Sequence, residues 1–304
     1  MQRPRWQHLL MTALLLGASP AIAGSEEQKP DVVSGSASIS GIGQFNTKLD
    51  GGGNFHWGGI IAQGLLKRQI TTELSAAISV RYGYESWHFS TPSALGATAP
   101  WGNINRPGIG LNFGYQAASD VALFVAPQIE WNYETGASAG NAQNYGAVIG
   151  VTKFFSPTLV LGLGAGAFRQ IDKTVVFPFV IVNWQIDEHW RLSNPFQASP
   201  AGGAGLELVY TIDPQWEIAG GGTYREYRFR LRDEGPTPRG IGRNQGIPIF
   251  ARLSRKLGPR GRVDFYAGAV AGGQLRVLNA NGSTAASSDY KLAPLLGLTA
   301  ALDF

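Results

Sequence analysis

Arginine is concentrated in one part of the sequence, between residues 225 and 262. This stretch contains ten arginines and Lys256, but its only acidic residues are Glu226, Asp233 and Glu234. The guanidinium group presents its donors in a planar fork that matches the oxygens of phosphate and carboxylate groups. The chemistry open to such a cluster is anion binding, and the candidate contacts are Arg228, Arg230, Arg232, Arg239 and Arg243.

Side chains suited to covalent catalysis are few. After residue 23 the only histidines are His56, His88 and His189. In "WHFS", His88 and Ser90 are two residues apart and share one face of a strand. A serine nucleophile also needs a group that orients its base, and the sequence places no acidic residue in that role. We therefore predict no catalytic residue, no cofactor and no metal site, with a lipid-modifying hydrolase using His88 and Ser90 as the alternative.

The N-terminal 23 residues have the pattern of a secretory signal peptide. Arg3 and Arg5 precede an apolar run from Leu9 to Leu16, and Ala21-Ile22-Ala23 forms a small-residue cleavage site. We predict that residues 1–23 are removed and that residues 24–304 form one barrel domain.

Composition excludes several classes for the remaining chain. Its 23 basic and 21 acidic residues leave a charge near +2, so bulk charge gives no case for nucleic acid. The absence of cysteine excludes a disulfide framework. No apolar run approaches the roughly 18 residues of a spanning helix. The 41 glycines, together with 11% aromatic residues, favour strands and tight turns.

Apolar residues alternate with small or polar ones along most of the chain. In "VALFVAPQIEWNY", Val121, Leu123 and Val125 lie on one predicted face and Gln128 and Glu130 on the other. This period of two is typical of strands whose two faces meet different surroundings. A soluble β-sandwich also alternates, so the turns must decide between the two.

The predicted connections are of two kinds. Short polar turns at 118–120, 156–158, 187–189, 213–215 and 258–261 are flanked by aromatic residues such as Tyr115, Phe124 and Trp190. Longer polar connections fall between them, near 46–55, 89–104, 135–143, 198–203, 233–246 and 279–288. Short turns at one end, long loops at the other and an aromatic girdle are typical of outer-membrane barrels.

The sequence is thus predicted to be all-β, a closed antiparallel transmembrane β-barrel of about fourteen strands, with twelve as the alternative. The predicted strands are 33–45, 56–68, 73–88, 105–117, 121–134, 144–155, 159–172, 176–186, 190–197, 204–212, 216–232, 247–257, 262–278 and 289–304.

The signal peptide, the girdled strands and the final alternating strand that ends in Phe304 resemble Gram-negative outer-membrane β-barrel proteins. In strand number and length the chain resembles a small monomeric porin, and it is also similar to uncharacterised outer-membrane barrels. The resemblance implies location in the cell outer membrane, a monomer, and insertion by the barrel-assembly machinery that reads a C-terminal strand ending in an aromatic residue. The His-x-Ser pairing also resembles that of the smaller lipid A deacylase barrels.

If the apolar face points outward, the opposite face lines a pore. The pore-lining candidates are Arg81, Gln128, Glu130, Asn132, Asn183, Glu207, Arg252, Gln274 and Arg276. Polar groups on this face suit a water-filled channel, because water satisfies them. We predict a passive channel for small solutes. The alternative is a structural or lipopolysaccharide-binding barrel with a plugged lumen.

The arginine-rich hairpin is predicted to project beyond the membrane. About ten residues cross the bilayer from Trp216, which places Arg228, Arg230 and Arg232 above it. There they would contact phosphorylated outer-membrane lipid, lipopolysaccharide, or draw anions to the mouth.

Overall fold

The computed structural model describes residues 33–195 and 204–304. The predicted signal peptide at 1–23 and the predicted connection at 198–203 lie outside the described residues. Among the described residues, no helix is long and apolar enough to cross a membrane.

Seventeen strand segments account for most of the described chain. Their bounds are β1 Val33–Lys48, β2 Asn54–Gln69, β3 Leu74–Ser90, β4 Asn103–Ala118, β5 Val121–Trp131, β6 Tyr133–Glu134, β7 Gln143–Ser156, β8 Leu159–Arg169, β9 Thr174–Gln185, β10 Trp190–Ser193, β11 Gly205–Thr211, β12 Trp216–Thr223, β13 Arg225–Arg230, β14 Ile241–Leu257, β15 Gly261–Leu278, β16 Thr284–Tyr290 and β17 Ala293–Asp303. Short 3-10 turns occupy Ser93–Leu95 and Ala139–Asn141.

The segments form a closed antiparallel barrel of fourteen strands. Three barrel strands are interrupted, because β5 continues into β6, β12 into β13 and β16 into β17. Each barrel strand pairs with the next in sequence, and β1 pairs with both β2 and β17. The last pairing joins the backbones of Gly35 and Phe304, whose N–H groups each donate to the other's carbonyl at 2.7 and 2.9 Å. This confirms the predicted architecture and its strand number.

The two ends of the barrel differ in their connections. At the short-turn end, successive strands are joined by two to four residues, as at 119–120, 157–158 and 258–260. At the long-loop end, the connections include 91–102, 135–142 and 231–240. This confirms the predicted separation of short turns from long loops.

Alternation along the strands sorts residues between an outward and an inward face. In β5, Leu123 and Val125 point outward and are exposed, whereas Ala122, Phe124 and Ala126 point inward and are buried. Exposed apolar side chains such as Ile149, Leu163 and Val176 cover the outward face elsewhere. Phe124 is therefore an inward residue, and its predicted place in the aromatic girdle is wrong.

A β-bulge reverses this alternation in the upper part of β15. Tyr266 and Asp264 point inward, but the three steps from Ala271 to Gln274 in β15 oppose only the two steps from Ile247 to Gln245 in β14. Gly272 supplies the bulge with a φ of 57°, a left-handed conformation that glycine adopts without the steric cost of a side chain. Beyond the bulge Leu275 and Val277 are the buried inward residues.

The bulge corrects two predicted pore-lining residues. Gln274 pairs with Gln245 and Arg276 with Arg243 on the opposite face from Leu275, and the Gln274 amide donates to Asp289 Oδ1 at 2.6 Å. Strict alternation from residue 262 predicts the wrong face for both, because it counts no extra residue.

Candidate functional site

Three predicted pore-lining residues form a wet polar patch on the inward face of β3 and β5. Arg81 Nη1 lies 3.8 Å from Glu130 Oε1, and about 30% of each side chain is exposed. Gln128, two residues before Glu130 on the same face, is also exposed. Their exposure inside a closed barrel means that water reaches this part of the lumen.

Two other candidates lie on the inward face in different surroundings. Asn132 is buried near the long-loop end, where its main-chain carbonyl accepts a hydrogen bond from the main-chain N–H of Arg230 at 2.9 Å. Asn183 is half-buried on β9, paired with Val160 and Ser193. Asn132 therefore meets a chain segment that crosses the lumen, whereas Asn183 belongs to the wall.

Glu207 and Arg252 belong to a charged network along the inward faces of β10–β15. The guanidinium of Arg252 donates to both carboxylate oxygens of Glu207, at 2.8 and 3.2 Å, and also bonds Ser254. Asp264 lies 3.6 Å from Arg252 and 3.0 Å from Arg262. Buried charges are tolerated where they are paired and hydrogen-bonded in this way.

The charged network continues toward the short-turn end. Glu217 accepts from Lys256 at 2.9 Å and lies 3.6 Å from Arg191. In all, four cationic side chains face three carboxylates along this wall: Arg191, Arg252, Lys256 and Arg262 against Glu207, Glu217 and Asp264. Asp303 also interacts electrostatically with Arg262, so this wall is densely charged with both signs.

The wall formed by β5, β8 and β9 is aromatic instead. Phe124, Phe177 and Phe179 point inward and lie over glycines of the neighbouring strands. A Cβ added at Gly164 would stand 2.2 Å from the Phe179 ring, and one at Gly166 would stand 2.5 Å from the Phe177 ring. The glycines of "GLGAGAF" let these rings lie flat on the wall. The sequence analysis found the glycine-rich strand but not the rings that need it.

A hairpin crosses the lumen at the long-loop end. We call residues 225–246, which include β13 and the start of β14, the inward hairpin. The ladder between β11 and β12 ends at Thr223, and at the far end of β13 Arg230 forms a parallel pairing with Tyr133 of β6. Because β13 belongs to the eleventh barrel strand and β6 to the fifth, this pairing spans the interior.

Aromatic packing holds the inward hairpin against the opposite wall. Phe229 is fully buried, and its ring centroid lies 5.2 Å from that of Trp101. The Arg106 guanidinium stacks over Tyr227 at 3.8 Å, and that of Arg225 lies over Trp57 at 5.3 Å. Together they extend an aromatic cluster that closes much of this end, formed by Phe55, Trp57, Trp87, Phe89, Trp101, Phe229 and Tyr290.

Ion pairs at Glu226 join the two strands of the inward hairpin, and Lys173 links Glu226 to the neighbouring connection. Glu226 accepts from Arg228 at 3.1 Å and from Arg243 at 3.0 Å, and Lys173 lies 3.6 Å away. Burial raises the pKa of Glu226, but hydrogen bonds from Arg243, Arg228 and Tyr224 outweigh it and lower this pKa to about 2. Glu226 is thus ionised wherever the hairpin is docked at ordinary pH.

The expected projection of the arginine-rich hairpin is wrong. Arg228 is buried and bonds both oxygens of Asp172 at 2.8 Å, and Arg230 is half-buried. Only Arg232 and Arg239 among the five candidates are exposed. The physical reason lies between the arginines: Phe229 and Leu231 gain by leaving water, and folding inward is what buries them.

An open cleft of about 470 Å³ lies beside the tip of the inward hairpin. Arg169, Arg230 and Arg239 line it together with Asn141, Gln143 and Tyr145. Arg169 was missed in the sequence because it lies in a different hairpin, 61 positions before Arg230.

His88 and Ser90 lie on the outward face at the long-loop end. The His88 ring stacks on that of His56, with centroids 4.9 Å apart. Within residues 33–195 and 204–304, no carboxylate hydrogen-bonds His88, and no group of three His, Cys, Asp or Glu residues could hold a metal ion. The arrangement supplies no oriented base for Ser90.

Comparison with known proteins finds similar folds among solved outer-membrane proteins, including channels. No family model matches the chain, and no curated protein matches it. The outer membrane channel COG4313 from Pseudomonas putida F1 is 11% identical with a TM-score of 0.46, covering 92% of this chain and 99% of that one. The toluene transporter TodX of Pseudomonas putida is 10% identical with a TM-score of 0.47, covering 90% of both chains. The KdgM porin is 11% identical with a TM-score of 0.33, covering 86% and 97%.

Proposed function

We propose that the chain lies in an outer membrane and forms a narrow channel for small solutes. The observation that carries this proposal is the water-exposed polar patch of Arg81, Gln128 and Glu130 on the inside of a closed barrel. The outward face is apolar, as a lipid-facing surface must be. Fourteen strands also exceed the roughly eight whose side chains can fill a barrel interior.

The two ends then have defined positions. Short turns of outer-membrane barrels face the periplasm and long loops face outward, so the inward hairpin narrows the extracellular entrance. A ladder that closes on itself within one chain is consistent with a monomer. Export by residues 1–23 and insertion by assembly machinery that reads the last strand and Phe304 are further parts of this proposal.

The two walls of the lumen suggest a class of solute. A charged, hydrogen-bonding wall and an aromatic wall of Phe124, Phe177 and Phe179 line the same lumen. A small molecule with an apolar face and a polar or charged group can contact both. We propose such amphiphilic solutes as those that pass most readily.

Conductance of the purified protein in a planar bilayer tests the channel. We expect discrete ohmic steps, and Glu130→Gln should shift the reversal potential toward anions because it removes a carboxylate from the wet patch. Glu188→Gln, the same change in an exposed short turn, is the matched control. Correctly folded protein that gives no steps, or a Glu130→Gln variant that behaves like the control, contradicts the proposal.

A second candidate is a closed barrel that binds lipopolysaccharide. The buried aromatic cluster at the long-loop end favours it, since Phe55 and Phe229 are fully buried there. If neither the wild type nor a variant with a weakened aromatic cluster conducts current across a bilayer, this candidate is favoured over the channel.

A further inference from the structure

The arginines of the inward hairpin divide into two groups by their partners. Arg228 and Arg243 bond Glu226, and Arg232 lies 3.9 Å from Glu134. By contrast, in the described part of the chain no carboxylate lies within 4.0 Å of the guanidinium groups of Arg230, Arg239 or Arg169. These three groups all line the cleft, whereas Arg225, which also lacks a carboxylate partner among the described residues, donates to Gln44 and lies over Trp57.

Arg230 is fixed in the cleft without being neutralised. Its Nε donates to the Asn141 carbonyl at 3.0 Å and its Nη1 to the Arg239 carbonyl at 2.7 Å. These carbonyls orient the guanidinium but carry no net charge. Two carboxylates act on Arg230 electrostatically, Asp172 and Asp233. Both oxygens of Asp172 bond Arg228, and Asp233 is exposed and lies beyond ion-pair distance of Arg230. The cleft therefore keeps the positive charge of an oriented guanidinium.

Arg239 is held in an unusual backbone conformation. Its φ is 55°, and its N–H donates to the Arg232 carbonyl at 2.9 Å. The left-handed region is costly for a residue with a side chain, and such residues cluster at ligand sites. Glycine would adopt this conformation with less strain, so the side chain of Arg239 is retained at a cost in stability.

The cleft opens at the rim of the barrel. Tyr145 and Arg169 pair across β7 and β8 on the outward face, and both are exposed. In the orientation proposed above, this is the level of the outer-leaflet headgroups. The side-chain amides of Asn141 and Gln143 add neutral hydrogen-bonding groups to the lining.

We propose that this cleft binds a phosphate group through the guanidinium groups of Arg169, Arg230 and Arg239. Three forked donors that lack carboxylate partners match the oxygens of a phosphate, and charge-assisted hydrogen bonds of this kind are strong. The phosphate can be that of a membrane glycolipid or a free phosphate ester. The glycolipid source rests on the outer-membrane location proposed above, whereas the free ester does not.

The test measures binding to the full chain in detergent with two probes. One probe is liposomes that contain phosphorylated lipid A, matched against liposomes with dephosphorylated lipid A; the other is glycerol phosphate in solution. We expect the Arg169→Gln/Arg239→Gln double variant to lose about tenfold or more in affinity for the phosphorylated probe. Arg232→Gln, which alters an exposed arginine of the same hairpin tip, is the control and should bind like the wild type.

The probes separate the two sources of phosphate. Binding of lipid A liposomes alone assigns the site to a glycolipid headgroup, and competition by glycerol phosphate assigns it to free esters as well. Arg239→Gly separates a ligand role from a structural one, because it should lower affinity while leaving thermal stability equal or higher. Equal affinity of wild type and double variant for both probes, or no binding by the wild type, overturns the proposal whatever the bilayer recordings show.

Discussion

Glu226 is the carboxylate that joins the two strands of the inward hairpin to each other. Arg228 and Arg243 of the hairpin bond it at 3.1 and 3.0 Å, and Lys173, outside the hairpin, lies 3.6 Å away. Its pKa in the folded hairpin is about 2, below the usual 4.5. A carboxylate whose pKa is depressed in the folded hairpin contributes its full stabilisation above its ordinary pKa and loses it as the pH falls toward the depressed value.

Acid should therefore loosen the inward hairpin between about pH 4.5 and pH 2. We expect the fluorescence of Trp57 and Trp101 to shift toward the solvent-exposed value over this window, since both pack against the hairpin. Glu226→Gln has no carboxylate to protonate at this position, so its tryptophan fluorescence should change less over the same pH window. Glu188→Gln, in an exposed short turn, is the control and should titrate like the wild type. Identical curves for wild type and Glu226→Gln would show that Glu226 does not hold the hairpin.

At the scale of elements, alternation predicts the face on which a residue lies only when the strand contains no extra, bulged residue. Alternation places Arg81, Gln128, Glu130, Glu207 and Arg252 correctly on the inward face, because no bulge intervenes. It fails for Gln274 and Arg276, because Gly272 inserts one extra residue. Glycine is frequent in this chain, with 41 residues, so the sequence does not single out the one that forms a bulge.

Cysteine labelling tests the corrected faces. The chain has no cysteine of its own, so a single introduced thiol is the sole target. Modification of Gln128→Cys by a charged thiol reagent should reduce the current through a bilayer, because this side chain lies in the wet lumen. Modification of Arg276→Cys, whose side chain lies on the opposite face of the bulged strand, should leave it unchanged. A block at Arg276→Cys would mean that β15 is not bulged in the membrane.

At the scale of the whole molecule, the local sequence pattern predicts the barrel but not the aromatic cluster at its long-loop end. Each strand carries its own alternation and each turn its own residues, so fourteen strands and the two kinds of connection could be predicted. The aromatic cluster joins Phe55, Trp87, Trp101, Phe229 and Tyr290, which are far apart in the sequence and each ordinary in its own strand. Their meeting depends on the diameter of the closed barrel, which no single segment encodes. The projection of the hairpin was therefore predicted wrongly.

Removal of one ring at the centre of this cluster should widen the entrance. Phe229→Ala leaves a cavity against Trp101, and a buried Phe→Ala change typically costs roughly 3–5 kcal/mol. The lost stabilisation weakens the packing of the inward hairpin, while the membrane-spanning ladder stays intact. We expect a larger single-channel conductance with the heat-modified gel mobility of a folded barrel retained. Phe113→Ala, which truncates an outward, exposed phenylalanine of β4 far from the hairpin, is the control, and equal conductance in both variants would place the narrowest point elsewhere.

The inward hairpin is the continuation of two wall strands rather than a separate plug. Across the interruption between β12 and β13, the inward hairpin keeps the register of the ladder between β12 and β14, which carries Glu217 and Arg252. Thermal motion of the inward hairpin must therefore also move those strands and the charged side chains that they carry deeper in the lumen. We expect fluctuations of the current and changes of ion preference to share this one cause, and so to coincide in time.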